Sequence, residues 1–539
     1  MSAIEESVSG RVWRADVLVI GGGPAGTWAA ISAAARGASV VLADKGYCGA
    51  SGATAPSGTG VWYVEPDGNK REEAKASRYA KGGHLAETVW MDRVLAQTYA
   101  NMQTLAEWGY PFPLDSEGQQ RRTSVQGPEY MRLMRKRVKQ AGVRILDHSP
   151  ALQLLTDNDG RVCGASGISR QKQQDWRVEA GAVVIATGGC AFLSRALGCN
   201  VLTGDGHLMA AESGAQFSGM EFSNAYGLCP AFASVTKSAF YMWATFYHAD
   251  GRVLEGAGSA QGRSIIAKTL QSEAVYARLD KADAQAKVQM RLAQPNFFLP
   301  FDRLGIDPFT QSFPVTLRLE GTVRGTGGLR IVAEDCATSV PGLFAAGDAA
   351  TRELICGGFT GGGSHNAAWA LSSGFWAGAG AAGFAQGNRL SDSVFIVAPR
   401  GAGLLNAHGQ RLDPAALIKA VQDEVFPYER NWFHRGDDLH ASLGRLDSLW
   451  QQVRSAAPAS GSEQTLRLRE ASAMLAVSRW MYRSALARTE TRGMHRRTEY
   501  SSLDPAQRHR VISGGLDEVW TGYQALAPVD EQLQAGQAA

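Results

Sequence analysis

The chain has 539 residues, a formal net charge of +3, and 45% hydrophobic against 19% charged residues. That length exceeds one hydrophobic core and calls for several domains, and a charge so near neutral excludes bulk electrostatic attraction to nucleic acid or an anionic membrane. The seven cysteines are scattered without a CxxC pair, which excludes a zinc site or iron–sulfur cluster of usual spacing and fits reduced thiols in a cytoplasmic protein.

The opening MSAIEESVSGRVWRADVLVIGGG carries early acids and no apolar stretch before a strand, so no signal peptide is expected. ADVLVIGGGPAGTWAAISAAARGASVVLADKG then predicts a strand at Val17–Ile20, a Gly21-x-Gly23-x-x-Gly26 turn, a helix, and a second strand ending at Asp44. Gly21 makes the tight turn, Gly23 lets the backbone approach a pyrophosphate, and Gly26 lets helix and strand pack closely. Pro24 and Ala25 begin the helix, whose free N–H groups receive the pyrophosphate. Asp44 lies 23 residues after Gly21, where an acid accepts hydrogen bonds from the adenosine ribose, with Lys45 beside it.

A loop of small residues follows from Gly46 to Gly60, in which Ser51, Gly52, Ala53 and Thr54 expose backbone to a long cofactor. Helical periodicity appears over 86–108 and 127–141. RILDHSPALQLLTDNDGRVCGASGISR reads as strands around an Asn-Asp-Gly turn, with Ala151 among the cofactor contacts expected there. AGAVVIATGGC is a strand ending in Thr187-Gly188-Gly189, and TGDG supplies Asp205. Near residue 340, SVPGLFAAGDAA is another apolar strand, closed by Gly347-Asp348. One nucleotide-binding sheet revisited after a long insertion, with Gly-Asp at its last strand, is the pattern of FAD-binding flavoproteins.

CGGFTGGGSHNAAWALSSG, residues 356–374, sets five glycines before a helix. By resemblance to such flavoproteins, in which the helix after the Gly-Asp strand points its N-terminus at the flavin ring, Gly361-Gly362-Gly363 would clear the approach and leave Ser364, His365, Asn366 and Ala367 as the first residues near it. Reduction makes that ring anionic, and free N–H groups with the helix dipole stabilise the charge. The Ala/Gly-rich stretch 371–387 is too short and too weakly apolar to span a bilayer. Beyond residue 411, three segments with apolar residues at three- and four-residue spacing predict a helical bundle, with AAPASGSE as a loop.

By these motifs the sequence resembles the flavoprotein subunits of the succinate dehydrogenase/fumarate reductase superfamily, which includes L-aspartate oxidase and the adenylylsulfate reductase flavoprotein subunit. GGGPAG, SGATAPSGTG, IATGG, TGDG, MEF (Met220–Phe222), VPGLFAAGD and ARTETRGMH carry the likeness over nearly the whole length. The resemblance implies an α/β fold of the GR2 type. A Rossmann-like FAD-binding domain (1–228 and 319–400) is split by an α+β capping domain (229–318) and followed by a C-terminal helical domain (401–539). It implies an FAD-dependent oxidoreductase transferring hydride at flavin N5, with electrons exchanged with a separate iron–sulfur or ferredoxin-like protein. Two other readings stay open: an oxidase using O2, and an electron-relay subunit without its own substrate site. A homo-oligomer is compatible with all three, and no nucleic-acid partner or metal is expected.

Several side chains that hold dicarboxylate in that family do not carry over. Thr360 in Phe359-Thr360-Gly361-Gly362 stands where the family has its clamping arginine, and TVRGTGG puts Val323 or Arg324 in place of a histidine. Gly46-Tyr47-Cys48 lacks the histidine that anchors FAD covalently, so non-covalent FAD is expected. His365 is the first candidate for acid–base work beside the ring, and Arg324 the candidate anion clamp. Arg492 is placed near the active site by resemblance, while Tyr226 and His248 are candidates to line the cap side. The basic RGMHRR run is a candidate docking surface for an acidic electron carrier.

Overall fold

The computed structural model describes residues 5–6, 12–115, 117–236, 238–259, 261–360, 362, 364–388, 401–404 and 409–526. Gly361 and Gly363, and with them part of the expected glycine approach, lie outside these.

Strand β1 (Val12–Ile20) leads through the glycine turn into helix α1 (Pro24–Ala35) and strand β2 (Val40–Ala43). Strands β3 (Arg144–Leu146), β4 (Ala151–Thr156), β5 (Val162–Ser169) and β6 (Gln174–Ile185) complete most of the main sheet. Its order is β3-β2-β1-β6-β5-β4. β6 is long enough to serve two partners. Its first half, from Gln174 to Glu179, pairs antiparallel with β5, while Val183–Ile185 pairs in parallel with the late strand Leu343–Ala345. Around the glycine turn β1 is wholly buried from Val17 to Ile20, as a strand covered on both faces of a parallel sheet must be.

The inserted segment forms its own four-stranded antiparallel sheet. It comprises β7 (Ala225–Pro230), β8 (Thr245–Tyr247), β9 (Val275–Arg278) and β10 (Phe313–Gly321), ordered β7-β10-β9-β8. Helices α2 (Gly262–Thr269), α3 (Ala284–Ala293) and α4 (Pro295–Leu304) belong to this segment. A phenylalanine cluster of Phe240, Phe297, Phe298, Phe301 and Phe313 fills its core. Asn296 Nδ2 donates to Pro56 O at 2.9 Å and Gln126 Nε2 to Ala293 O at 3.2 Å, which ties the insert to the first part of the chain.

After the strand β11 (Leu343–Ala345), helix α5 (Ser364–Gly387) runs back across α1. A Cβ on Gly374 would stand 2.3 Å from Ala25 O, and one on Gly378 would stand 2.1 Å from Ala29 O. The two backbones therefore touch along a glycine seam, which is why this helix is so poor in large apolar residues. Helices α6 (Pro414–Val425), α7 (Gly436–Ser455) and α8 (Ser462–Ala487) follow. α8 is the hub: Arg469 pairs with Glu212 at 2.7 Å and donates to Leu152 O, while Glu470 reaches Lys45 at 2.6 Å.

The C-terminal part is not purely helical. Strands β12 (His509–Gly514) and β13 (Trp520–Ala525) form a hairpin whose inner strand pairs antiparallel with Phe217–Ser218. Among the described residues no helix is long and apolar enough to cross a membrane.

Candidate active site

A cavity of about 620 Å³ lies where the main sheet, the inserted segment and the start of α5 meet, within the size range of ligand sites. At the glycine turn the local backbone is built around absent side chains. Gly21 has φ +113° and a Cβ there would meet Ala186 O at 2.2 Å. A Cβ on Gly26 would collide with Gly21 O. Gly23, by contrast, has nothing within 4 Å of such a position, and it opens onto the cavity. α1 starts there without a side-chain cap, so its first N–H groups remain to bind an anion. These features fit the pyrophosphate of a dinucleotide.

Gly21, Gly23, Pro24, Ala25, Asp44, Lys45, Ser51, Gly52, Ala53, Thr54, Ala151, Thr187, Gly188, Asp205, Gly347, Asp348, Asn366 and Ala367 all line the cavity. Gly26, Gly189 and Ser364 do not, and support it from behind: Gly189 packs on Thr322, and the Ser364 carbonyl accepts from Trp62 N. Asp44 accepts from Gly22 N at 2.5 Å, Gly46 N at 2.7 Å and Ser51 Oγ at 2.8 Å. That triple bonding fixes its carboxylate at the end of β2. Lys45 donates to Asp205 and Glu470 at 2.7 and 2.6 Å. Burial alone would lower its ammonium, but the two carboxylates hold it above its ordinary value.

On the other side of the cavity stand Arg263, at the start of α2, and Arg324, just after β10. Arg324 Nη1 donates to Glu320 Oε2 at 3.0 Å, and Thr236 Oγ1 donates to Glu320 Oε1 at 2.7 Å. Glu320 is wholly buried. Two bonds pin Arg324 to the approach of α5: Thr360 Oγ1 donates to its carbonyl at 2.6 Å, and Asn366 Nδ2 donates to Val323 O at 2.9 Å. Arg263 has no hydrogen-bond or ion-pair partner among the described residues. Desolvation inside the cavity wall, with Arg324 adding repulsion, lowers its guanidinium to about 10. Nothing local in AGSAQGRSIIAKT marks Arg263 as different from any helix-start arginine, and sequence reasoning missed it.

Five expected placements differ. His365 is buried, packed on Trp62 with ring centroids 4.3 Å apart and with Nδ1 3.0 Å from Ser364 Oγ; it does not line the cavity. Arg492 is also buried away from it, held by Glu490 and by the carbonyls of Gly83 and Asp504. Tyr226 donates to Val425 O, and His248 pairs with Glu273 at 2.8 Å, so neither reaches the cavity. The RGMHRR run forms no basic surface: Arg492, His495 and Arg497 are buried, and Arg496 packs over Trp432. Among the described residues the cavity wall contains no histidine, cysteine or tyrosine. Cys48 sits behind the glycine turn, its thiol pushed up to about 12 by burial.

Residues 16–227 match the FAD binding domain family, and residues 429–526 match the fumarate reductase flavoprotein C-terminal family. The chain is 28% identical to an L-aspartate oxidase of Streptomyces coelicolor, covering 92% of this chain and 91% of that protein. It is 25% identical to a fumarate reductase flavoprotein subunit of Mycobacterium tuberculosis, covering 91% and 92%. Its fold matches an E. coli quinol fumarate reductase chain at TM-score 0.81 and 20% identity, covering 96% of this chain and 99% of that one. It matches adenylylsulfate reductase of Archaeoglobus fulgidus at TM-score 0.77 and 19% identity, covering 96% of each chain.

Proposed function

The chain belongs to the succinate dehydrogenase/fumarate reductase flavoprotein superfamily and is an FAD-dependent oxidoreductase, and from that premise we propose that it acts on a small anionic organic substrate held by Arg263 and Arg324. FAD, bound without a covalent link, supplies hydride exchange at its N5. The observation that carries the reading is the pair of arginines lining one cavity, one of them without a hydrogen-bond or ion-pair partner among the described residues.

Each residue then has a definable task. The backbone at Gly21–Gly26 and the start of α1 hold the pyrophosphate. The start of α5, with Asn366 and Ala367 on the wall, presents a positive dipole end that would stabilise negative charge on a flavin held there. Arg324 grips the substrate anion in two-point fashion. Arg263, which lines the cavity with no hydrogen-bond or ion-pair partner among the described residues, is assigned the proton exchange on its position, since the described wall holds no histidine. His365 keeps the α5 start in place through its contact with Trp62.

Electrons leave or arrive through a separate iron–sulfur or ferredoxin-like protein in this reading; direct reoxidation by O2 is the alternative, since an L-aspartate oxidase is among the relatives. The experiment is anaerobic mixing of the FAD-loaded protein with small organic acids. Loss of the flavin's visible absorbance with one of them supports the proposal; a flavin that no acid reduces, and whose reduced form no unsaturated acid reoxidises, favours a relay subunit.

A further inference from the structure

A wholly buried guanidinium joins two separate stretches of the cavity wall. Arg352 has no exposed surface and does not itself line the cavity. Its Nη1 donates to Asp348 Oδ1 at 2.6 Å, and Asp348 lines the cavity at the Gly347-Asp348 corner. Its Nη2 donates to the carbonyls of Thr322 at 2.7 Å, Val323 at 3.2 Å and Gly325. The main chain adds to this grip: Arg352 N donates to Thr326 O at 2.8 Å, and Thr351 Oγ1 donates to the same carbonyl at 3.1 Å. The segment so held, residues 322–326, is the one that presents Arg324 to the cavity. Burying a guanidinium is expensive, and well-packed apolar side chains often serve stability as well or better. What the planar fork adds is direction, since it answers a carboxylate on one side and a set of carbonyls on the other.

Resting on the reading that Arg324 holds the substrate anion, we propose that Arg352 is a positioning residue for that anion. It sets the 322–326 segment against the Gly347-Asp348 corner, so that Arg324 keeps a fixed place relative to the cofactor held there. Arg352 touches neither substrate nor cofactor and acts through Arg324.

The test is a double-mutant cycle on the FAD-loaded protein, with acetate, oxalate and succinate as probes and the change in flavin absorbance giving each dissociation constant. Arg352→Lys keeps a positive charge beside Asp348 but replaces the fork with a single point. Arg324→Gln removes the anion contact and leaves Arg263 to hold the acids. Arg352→Lys alone should raise the dissociation constant of the acids that bind by about tenfold with FAD content unchanged, an effect within the usual range of coupling between sites. In the Arg324→Gln background the same substitution should change it by less than about twofold, because residues that act through one another are not additive. Equal effects of Arg352→Lys in both backgrounds overturn the proposal, since Arg352 would then act without Arg324. An unchanged dissociation constant in Arg352→Lys alone overturns it too. So does loss of FAD from both Arg352→Lys and Arg352→Gln, which would make Arg352 a support of the cofactor or the fold. If none of the three acids perturbs the wild-type flavin, the anion-binding reading itself fails and takes this proposal with it, a result told apart from the others by the wild-type titration alone.

Discussion

The hydroxyl of Thr360 donates to the main-chain carbonyl of Arg324 at 2.6 Å. Thr360 stands where the resembling family carries its clamping arginine, so the position that loses the guanidinium instead locks the segment that presents another one. Replacing Thr360 by Val removes that lock while keeping the side chain's shape. The expected outcome is a KM raised several-fold with FAD content unchanged, measured by steady-state kinetics with an artificial electron acceptor. A loss confined to kcat would place Thr360 in the chemistry instead.

Non-covalent FAD follows from a wall without histidine, cysteine or tyrosine among the described residues. Acid precipitation should release all yellow colour into the supernatant. Colour remaining in the pellet contradicts it.

The glycine seam between α1 and α5 makes a stability prediction with an internal control. Gly378→Ala puts a Cβ 2.1 Å from Ala29 O and should destabilise on the order of 1–3 kcal/mol by forcing the helices apart. Gly383, on the same helix, has open space at its Cβ position, so Gly383→Ala should stabilise by about 0.5–1 kcal/mol through helix propensity. Thermal melts of the two variants should therefore move in opposite directions. Equal shifts would mean that the seam is not tight.

Acid should weaken the fold through its buried histidines by more than the raised buried carboxyl of Glu221, at about 7, offsets. Burial lowers His207 to about 4 and His434 to about 3, and it lowers His495 as well. These histidines are neutral when folded and take up protons near 6.5 when unfolded, so the unfolded state binds more protons below that pH. Their contribution is present above 6.5 and is lost as pH falls from there toward 4 and 3. The melting temperature should drop steadily between pH 7 and 5. A flat profile over that window would show that the three imidazoles titrate normally in the folded protein.

Much of this architecture is legible in the sequence because it depends on local constraints. The turn at Gly21–Gly26, the strand ending at Asp44 and the Gly347-Asp348 corner are short-range patterns with steric causes, and they line the cavity together. The C-terminal hairpin, His509–Gly514 and Trp520–Ala525 joined across residues 515–519, follows the strong helical periodicity on which the helical expectation rests. His365, Arg324 and Arg263 show the limit. One residue of rotation at the start of α5 decides whether a histidine faces the ring or Trp62, and no spacing rule brings residue 263 beside residue 324. Likewise, RGMHRR looks basic in sequence, yet Arg492 is paired with buried Glu490, Arg497 with Glu499, and Arg496 lies over Trp432.

Electron exchange through a partner protein predicts slow reoxidation of the reduced protein in air-saturated buffer, with fast reduction of an artificial dye, both followed by stopped flow. Reoxidation by air matching full turnover, with stoichiometric peroxide, would make the protein an oxidase.

The most direct measurement is the anaerobic single-turnover rate of flavin reduction by the reducing substrate, or reoxidation by the oxidising one, in the wild-type protein, Arg263→Gln and His365→Ala, each with full FAD. The account predicts a loss of about 10²–10⁴-fold in Arg263→Gln, the range for removing a proton-transfer group, and a change below about tenfold in His365→Ala. Wild-type rates in Arg263→Gln, or the large loss appearing in His365→Ala instead, would contradict it.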